Sequence, residues 1–181
     1  MNHTATLTDV DTLRAQARLH IEEGAVTAGY SADRGEVLLL LNAALATELV
    51  CVLRYRRHHF MARGIHAKGI ASEFLAHSEE EQAHADQIAA RIVQLGGEPD
   101  FAPDGLSHRS HAEYVAGSSL LEMIKEDLVA ERIAIDSYRE LIQYLGEQDP
   151  TTSQMLKKIL AVEEEHADEL ADLLAGLPRQ T

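Results

Sequence analysis

Apolar side chains recur every three or four residues along most of the chain, and nowhere is the strict alternation of a half-buried strand sustained. The first strong run opens at Ser31 or Asp33, either of which can cap a helix, and extends to Gly64, whose left-handed backbone would stop it. Its inner stripe reads Leu41, Leu45, Glu48, Val52 and Tyr55. A second helix is predicted from about Ala67 to Leu95, halted by Gly96 and Gly97, with Ile70, Phe74, His77, Glu81, His84, Ile88 and Ile92 on one face. The link between the two is short, so they pack as antiparallel neighbours. The segment EPDFAPDGLSHRSHAEYVAG then breaks helical periodicity for far longer than a tight turn needs and reads as a crossover or a lid. A third helix spans about Ser118 to Leu145, with Ile124, Leu128, Glu131, Ile135, Tyr138 and Ile142 in one stripe. The fourth begins at Asp149 and Pro150, a cap followed by proline in the first turn, and presents Leu156, Ile159, Glu163, His166, Leu170 and Leu173.

The pattern predicts an all-α fold: a four-helix bundle over residues 31–181 with one long crossover between helices two and three, which lets those two run parallel. Residues 1–30 read as an N-terminal arm carrying a short accessory helix, around Val10 to Glu23. Composition agrees, since four prolines, three phenylalanines and no tryptophan favour helices over sheets. Sixteen basic against thirty acidic residues give a net charge of −14, which repels phosphate backbones and anionic membrane surfaces. One cysteine, Cys51, excludes an intrachain disulfide or a zinc site built from several thiolates and suits a reducing cytoplasm. The opening residues MNHTATLTDVDTLR lack a secretory or transit pattern, so the protein is expected to stay in the cytoplasm. Val37 to Leu53 approaches membrane-spanning length, but Asn42 and Glu48 within it mark a buried helix with a use for the glutamate.

That use emerges from Glu-x-x-His, which occurs at Glu81 to His84 and again at Glu163 to His166. Residues three apart lie about 5–6 Å from each other on one helix face, and here both pairs fall on the apolar seam. Glu48 and Glu131 interrupt the seams of the other two helices, so each half of the chain supplies a lone glutamate followed by a Glu-x-x-His. Two helix pairs related by an approximate two-fold would bring four carboxylates and two imidazoles together at mid-bundle, the ligand set of di-iron and di-manganese carboxylate proteins. Four buried carboxylates need compensation, which two divalent cations would provide. Oxygen-rich ligands with one imidazole per ion favour iron or manganese, with zinc as an adventitious occupant. The expected assignment has Glu81 and Glu163 bridging, Glu48 and Glu131 terminal, and His84 and His166 one on each ion. Redox-active ions so held would react with dioxygen or peroxide.

LNAALATELV around Glu48, EEEQAHADQIAARIVQLGGEP around Glu81 and His84, and ILAVEEEHADEL around Glu163 and His166 resemble bacterioferritin, a ferritin-like family, over roughly Ser31 to Ala175. All six ligand positions match in order and spacing. The resemblance implies a ferroxidase centre that oxidises Fe(II) with O2 or H2O2, and a homo-oligomeric shell of 12 or 24 subunits that stores ferric iron and limits oxidative damage. Tyr55 is similar to the family's tyrosine beside the di-iron site. Gln82 stands where the family's haem-ligating methionine would follow the bridging glutamate, which argues against haem. The ending LLAGLPRQT provides no short fifth helix, and the added arm is more like the twelve-subunit shells of DNA-protection-during-starvation relatives. The competing enzyme is a di-iron or di-manganese peroxidase, catalase or oxidase that uses the same residues without storage. A DNA-coating shell is disfavoured by the charge and by the lack of a lysine-rich tail in Met1 to Tyr30. A plain helical scaffold would leave the six residues without a role.

Other residues receive plainer readings. His77 shares the face of Glu81 and reads as a core imidazole, or one packed behind the ligands, and Tyr138 as a packing residue. The cluster RYRRHHF from Arg54 to Phe60 should spread its charges around the helix, onto a solvated or intersubunit face. Glu79, Glu80, Glu164 and Glu165 read as exposed neighbours of the ligands, and Cys51 as inert packing.

Overall fold

The computed structural model describes residues 7–65 and 67–177. Every regular element in them is helical: α1 Val10–Gln16, α2 Arg34–Met61, α3 Ala67–Gln94, α4 Leu106–Arg109, α5 Leu120–Leu145 and α6 Pro150–Gly176, with a 3-10 turn at Ile21–Glu23. The long helices α2, α3, α5 and α6 form the bundle, α2 pairing with α3 and α5 with α6.

Side chains that accept from first-turn amides, which have no partner within the helix, set the helix starts. Asp33 accepts from Glu36 at the head of α2, Ser119 from Glu122 at α5, and Asp149 from Thr152 at α6. Asp149 also accepts from Arg91 at 2.8 Å and from the Tyr30 hydroxyl at 3.0 Å, joining the end of α3, the start of α6 and the root of the N-terminal segment. α3 closes through Gly96 at φ +77, and a side chain on the next residue, Gly97, would collide with Leu38 of α2. Two boundaries differ from expectation. α2 stops at Met61, three residues before Gly64, because Ala62 already leaves the helix in extended backbone and Gly64, at φ +118, belongs to the turn into α3. The accessory helix breaks after Gln16, where His20 at φ 50 and Gly24 at φ 60 frame the 3-10 turn. None of its residues is buried, and a helix of two turns without a packed face has little to prolong it.

Hydrogen bonds to α2 fix the course of the crossover. Asn42 holds Glu98 and Asp100, Thr47 accepts from the His111 amide, Arg54 donates to the Glu113 carbonyl, and His58 faces the carbonyls of Val115 and Ala116. The segment therefore climbs α2 from its start to its end, so α5 sets off antiparallel to α2 and parallel to α3. RYRRHHF is not a surface cluster throughout. Arg54 and His58 are fully buried and converge on Asp127 of α5 at 2.8 and 2.7 Å, whereas Arg56 and Phe60 remain exposed. Helical spacing turns positions 54 and 58 inward, and Asp127 compensates them there.

Two apolar clusters fill the bundle. One contains Leu41, Leu45, Ile88, Ile92, Leu145 and Leu156, and the other contains Phe74, Met123, Ile124 and Leu170. Each fully buried aliphatic or aromatic side chain contributes roughly 1.5–3 kcal/mol. α2 has the length and mean hydropathy, 2.0, of a membrane-crossing helix, but it stands as one of four bundle helices and buries Glu48 among the others.

Candidate metal centre

Between the two apolar clusters lies a polar belt. Glu48 comes from α2, Glu81 and His84 from α3, Glu131 from α5, and Glu163 and His166 from α6; none of the six is more than 5% exposed. The structure brings all six together. Ligand atoms of Glu48, Glu81, His84 and Glu163 lie within 4.8 Å of one another, as do those of Glu81, Glu131, Glu163 and His166, so Glu81 and Glu163 belong to both sets. His84 Nδ1 stands 2.9 Å from Glu163, 3.4 Å from Glu81 and 3.5 Å from Glu48. His166 Nδ1 stands 3.7 Å from Glu81, 3.9 Å from Glu163 and 4.0 Å from Glu131.

Further side chains orient this cluster. The Tyr55 hydroxyl donates to Glu131 and the Tyr138 hydroxyl to Glu48, so each half of the bundle supplies a tyrosine for the other half's glutamate. Tyr138 is therefore more than packing. Glu80, exposed at the bundle surface, meets His166 Nε2 at 2.6 Å and turns Nδ1 toward the carboxylates. Glu79, Glu164 and Glu165 are exposed, and Glu164 pairs with Arg139 at 2.6 Å. Gln82 donates to Asp86 at 3.0 Å. Cys51 is buried, which raises its thiol pKa well above the usual value.

The electrostatics are those of a crowded acid site. Burial, followed by the charge of Glu81, raises Glu48 well above the ordinary carboxylate range and Glu131 to about 7. Burial, followed by the charges of Glu81, Glu48 and Glu131, also raises Glu163. Burial pushes Glu81 upward too, but hydrogen bonds from Glu48, His166 and His84 outweigh it and leave this carboxyl low. His84 and His166 rise to about 10 and about 9: burial opposes their charge, and the hydrogen bonds and charges of the surrounding glutamates outweigh it. Glu48 Oε2, Glu81 Oε1, Glu131 Oε2, Glu163 Oε2 and His166 Nδ1 have no hydrogen-bond partner among the described residues. Buried polar atoms are rarely left so. Four carboxylates with inward-facing free oxygens, two imidazoles and no lysine or arginine among them form a donor set that suits two divalent cations.

Sequence reasoning passed over Asp127, which lies one turn before Glu131 on the same face of α5 and could have been found from that spacing. The contact of Glu80 with His166 depends on how α3 and α6 pack, and nothing in the local pattern announces it.

Comparison with known proteins places these features in context. The family profile for the ferritin-like domain matches residues 38–180. Bacterioferritin BfrA of Mycobacterium tuberculosis is 32% identical over 136 residues, covering 75% of this chain and 81% of that protein. A nutrient stress-induced DNA-binding protein of Nostoc is 31% identical over 138 residues, 75% of each chain. Among solved structures, the bacterioferritin-related dodecameric thioferritin of Bacteroides fragilis superposes with a TM-score of 0.77 at 31% identity, covering 80% of this chain and 88% of that one.

Proposed function

The chain belongs to the ferritin-like domain family, and from that premise we propose that it is a ferroxidase, oxidising Fe(II) at a two-ion centre inside each subunit and storing ferric iron in a closed cytoplasmic shell of at least twelve chains. The observation that carries this reading is the pair of four-residue ligand sets sharing Glu81 and Glu163, buried with unpaired oxygens and with no lysine or arginine among them. Glu48 and His84 would complete one ion's shell, and Glu131 and His166 the other's. When bound, the two irons supply adjacent one-electron donors for reducing O2 or H2O2. Manganese or zinc can take the same places.

The chain's own groups prepare the site. Glu81, the carboxyl most readily ionised, offers the first anionic ligand. Tyr138 and Tyr55 each occupy one oxygen of the terminal glutamates and leave the other free to bind. Glu80 keeps the inner nitrogen of His166 facing the ions. The apolar clusters on either side exclude bulk water. Leu7, Val10, Leu13, Leu19 and Ile21, all exposed along the N-terminal segment, offer apolar surface for neighbouring subunits.

Aerobic loading with excess Fe(II) tests the reading. Retention of iron far beyond two ions per chain supports storage, and oxidation with only about two retained makes the protein a non-storing oxidase or peroxidase.

A further inference from the structure

His77 of α3 has two environments. Its Nε2 lies 2.9 Å from Glu169 of α6, a carboxylate about half exposed, and Glu73 stands one helical turn earlier on α3, also exposed. Ligand atoms of Glu73, His77 and Glu169 fall within 4.8 Å of one another. The same imidazole reaches inward, within 4.8 Å of Glu131 and His166, and stacks on the His166 ring at 4.1 Å. It is 1% exposed, and its Nδ1 has no hydrogen-bond partner among the described residues. A buried imidazole with one nitrogen unpaired is costly to maintain without a ligand. Outside it opens a surface cleft of about 550 Å³ lined by Gly69, Ile70, Glu73, Glu169, Asp172 and Leu173, with three carboxylates and no basic group among the lining residues.

We propose that Glu73, His77 and Glu169 form a third cation site, distinct from the inner six residues, which takes one divalent transition-metal ion from solvent and passes it inward past His77. One imidazole with two carboxylates suits Fe(II), Mn(II), Co(II) or Zn(II) better than Mg(II) or Ca(II), which seek all-oxygen shells. Two of the three ligands are solvated, so the site binds weakly and releases readily. The His77 ring belongs to both the outer and the inner group, which gives the ion a continuous set of donors between them. As a binding site it stands on its own residues; as a way station it rests on the ferroxidase reading.

The test is anaerobic titration of the intact full-length assembly with Co(II), followed by calorimetry and cobalt absorption, in the wild type and in the Glu73→Gln/Glu169→Gln double variant. Both substitutions are at exposed positions, and a glutamine at 169 keeps a side-chain oxygen in place to meet the buried His77. The expected wild-type result is one weak ion per chain beyond the tight ones, lost in the double variant while the tight ones persist. A wild type without the weak ion, or a variant that keeps it, overturns the site. Stopped-flow oxidation of limiting Fe(II) tests transfer: the variant is expected to slow about tenfold, as when a charged cleft loses its focusing field, and an unchanged rate overturns the way station. Failure of the ferroxidase reading would look different, because the tight ions themselves would be missing from the wild type.

Discussion

At the scale of single residues, the centre depends on groups that hold the ligands as much as on the ligands. Tyr138→Phe removes the hydroxyl that Glu48 accepts and leaves a buried carboxylate oxygen unpaired. Affinity for one of the two inner ions is expected to fall about 10- to 100-fold with helical content unchanged, measured by metal titration with circular dichroism. Protonation gives a second prediction. Glu48, Glu131 and Glu163 keep their protons to higher pH in the folded chain than in the unfolded one, so without metal their contribution to stability is lost as pH rises above about 4.5, for Glu131 through about 7. His84 and His166 are raised as well, and their contribution is lost between about 6.5 and their folded values of about 10 and about 9. Glu81, depressed, contributes in full above its ordinary range, and acid removes that contribution only below it. Metal-free protein should therefore melt at progressively lower temperature from pH 5 to pH 9, whereas metal-loaded protein gains stability as pH rises from 5 to 7 because its ligands must deprotonate. Identical profiles with and without metal would contradict this.

The six converging residues were legible in the sequence as acids and imidazoles interrupting apolar seams, because helical spacing alone decides which face a residue takes. The tyrosines were less so. Tyr55 and Tyr138 sit at equivalent distances beyond Glu48 and Glu131, but their hydroxyls cross to the opposite helix pair, and such a contact depends on how the two pairs pack.

At the scale of elements, the caps at Asp33 and Asp149 and the long crossover could be read from local chemistry. The ends set by tertiary contact could not. α2 stops at Met61 rather than Gly64, and the arm helix, lacking a buried face, is shorter than its amphipathic pattern. The inward turn of Arg54 and His58 within RYRRHHF is hidden from the local pattern for a related reason: the partner that draws them in is Asp127, far along the chain on α5. This buried group fastens α2 to α5 and pins the crossover at Glu113, Val115 and Ala116. Asp127→Ala strands two buried cationic or polar partners and should cost about 3–5 kcal/mol, read from chemical denaturation. Hydrogen exchange should show the end of the crossover losing protection first. A loss below about 1 kcal/mol would mean the network contributes no more than a surface pair.

For the whole molecule, a ferritin-like bundle was accessible from periodicity and motifs, and the match to the ferritin-like profile agrees with the bacterioferritin resemblance. Assembly was not accessible in the same way, since exposed apolar residues such as Leu39, Phe60 and Val93 have no regular spacing that would mark a subunit contact. Sedimentation is expected to show a particle of at least twelve chains. Duplex DNA at low salt is expected to show no retardation by the protein, given a charge of −14 per chain.

The central claim is that one subunit alone cages two ions. Anomalous diffraction at the iron edge from crystals loaded anaerobically with Fe(II) tests it most directly. Two peaks about 3.5–4 Å apart are expected within each subunit, both touching Glu81 and Glu163. Iron found only between subunits or on the outer surface, with the six inner residues bare, would contradict it.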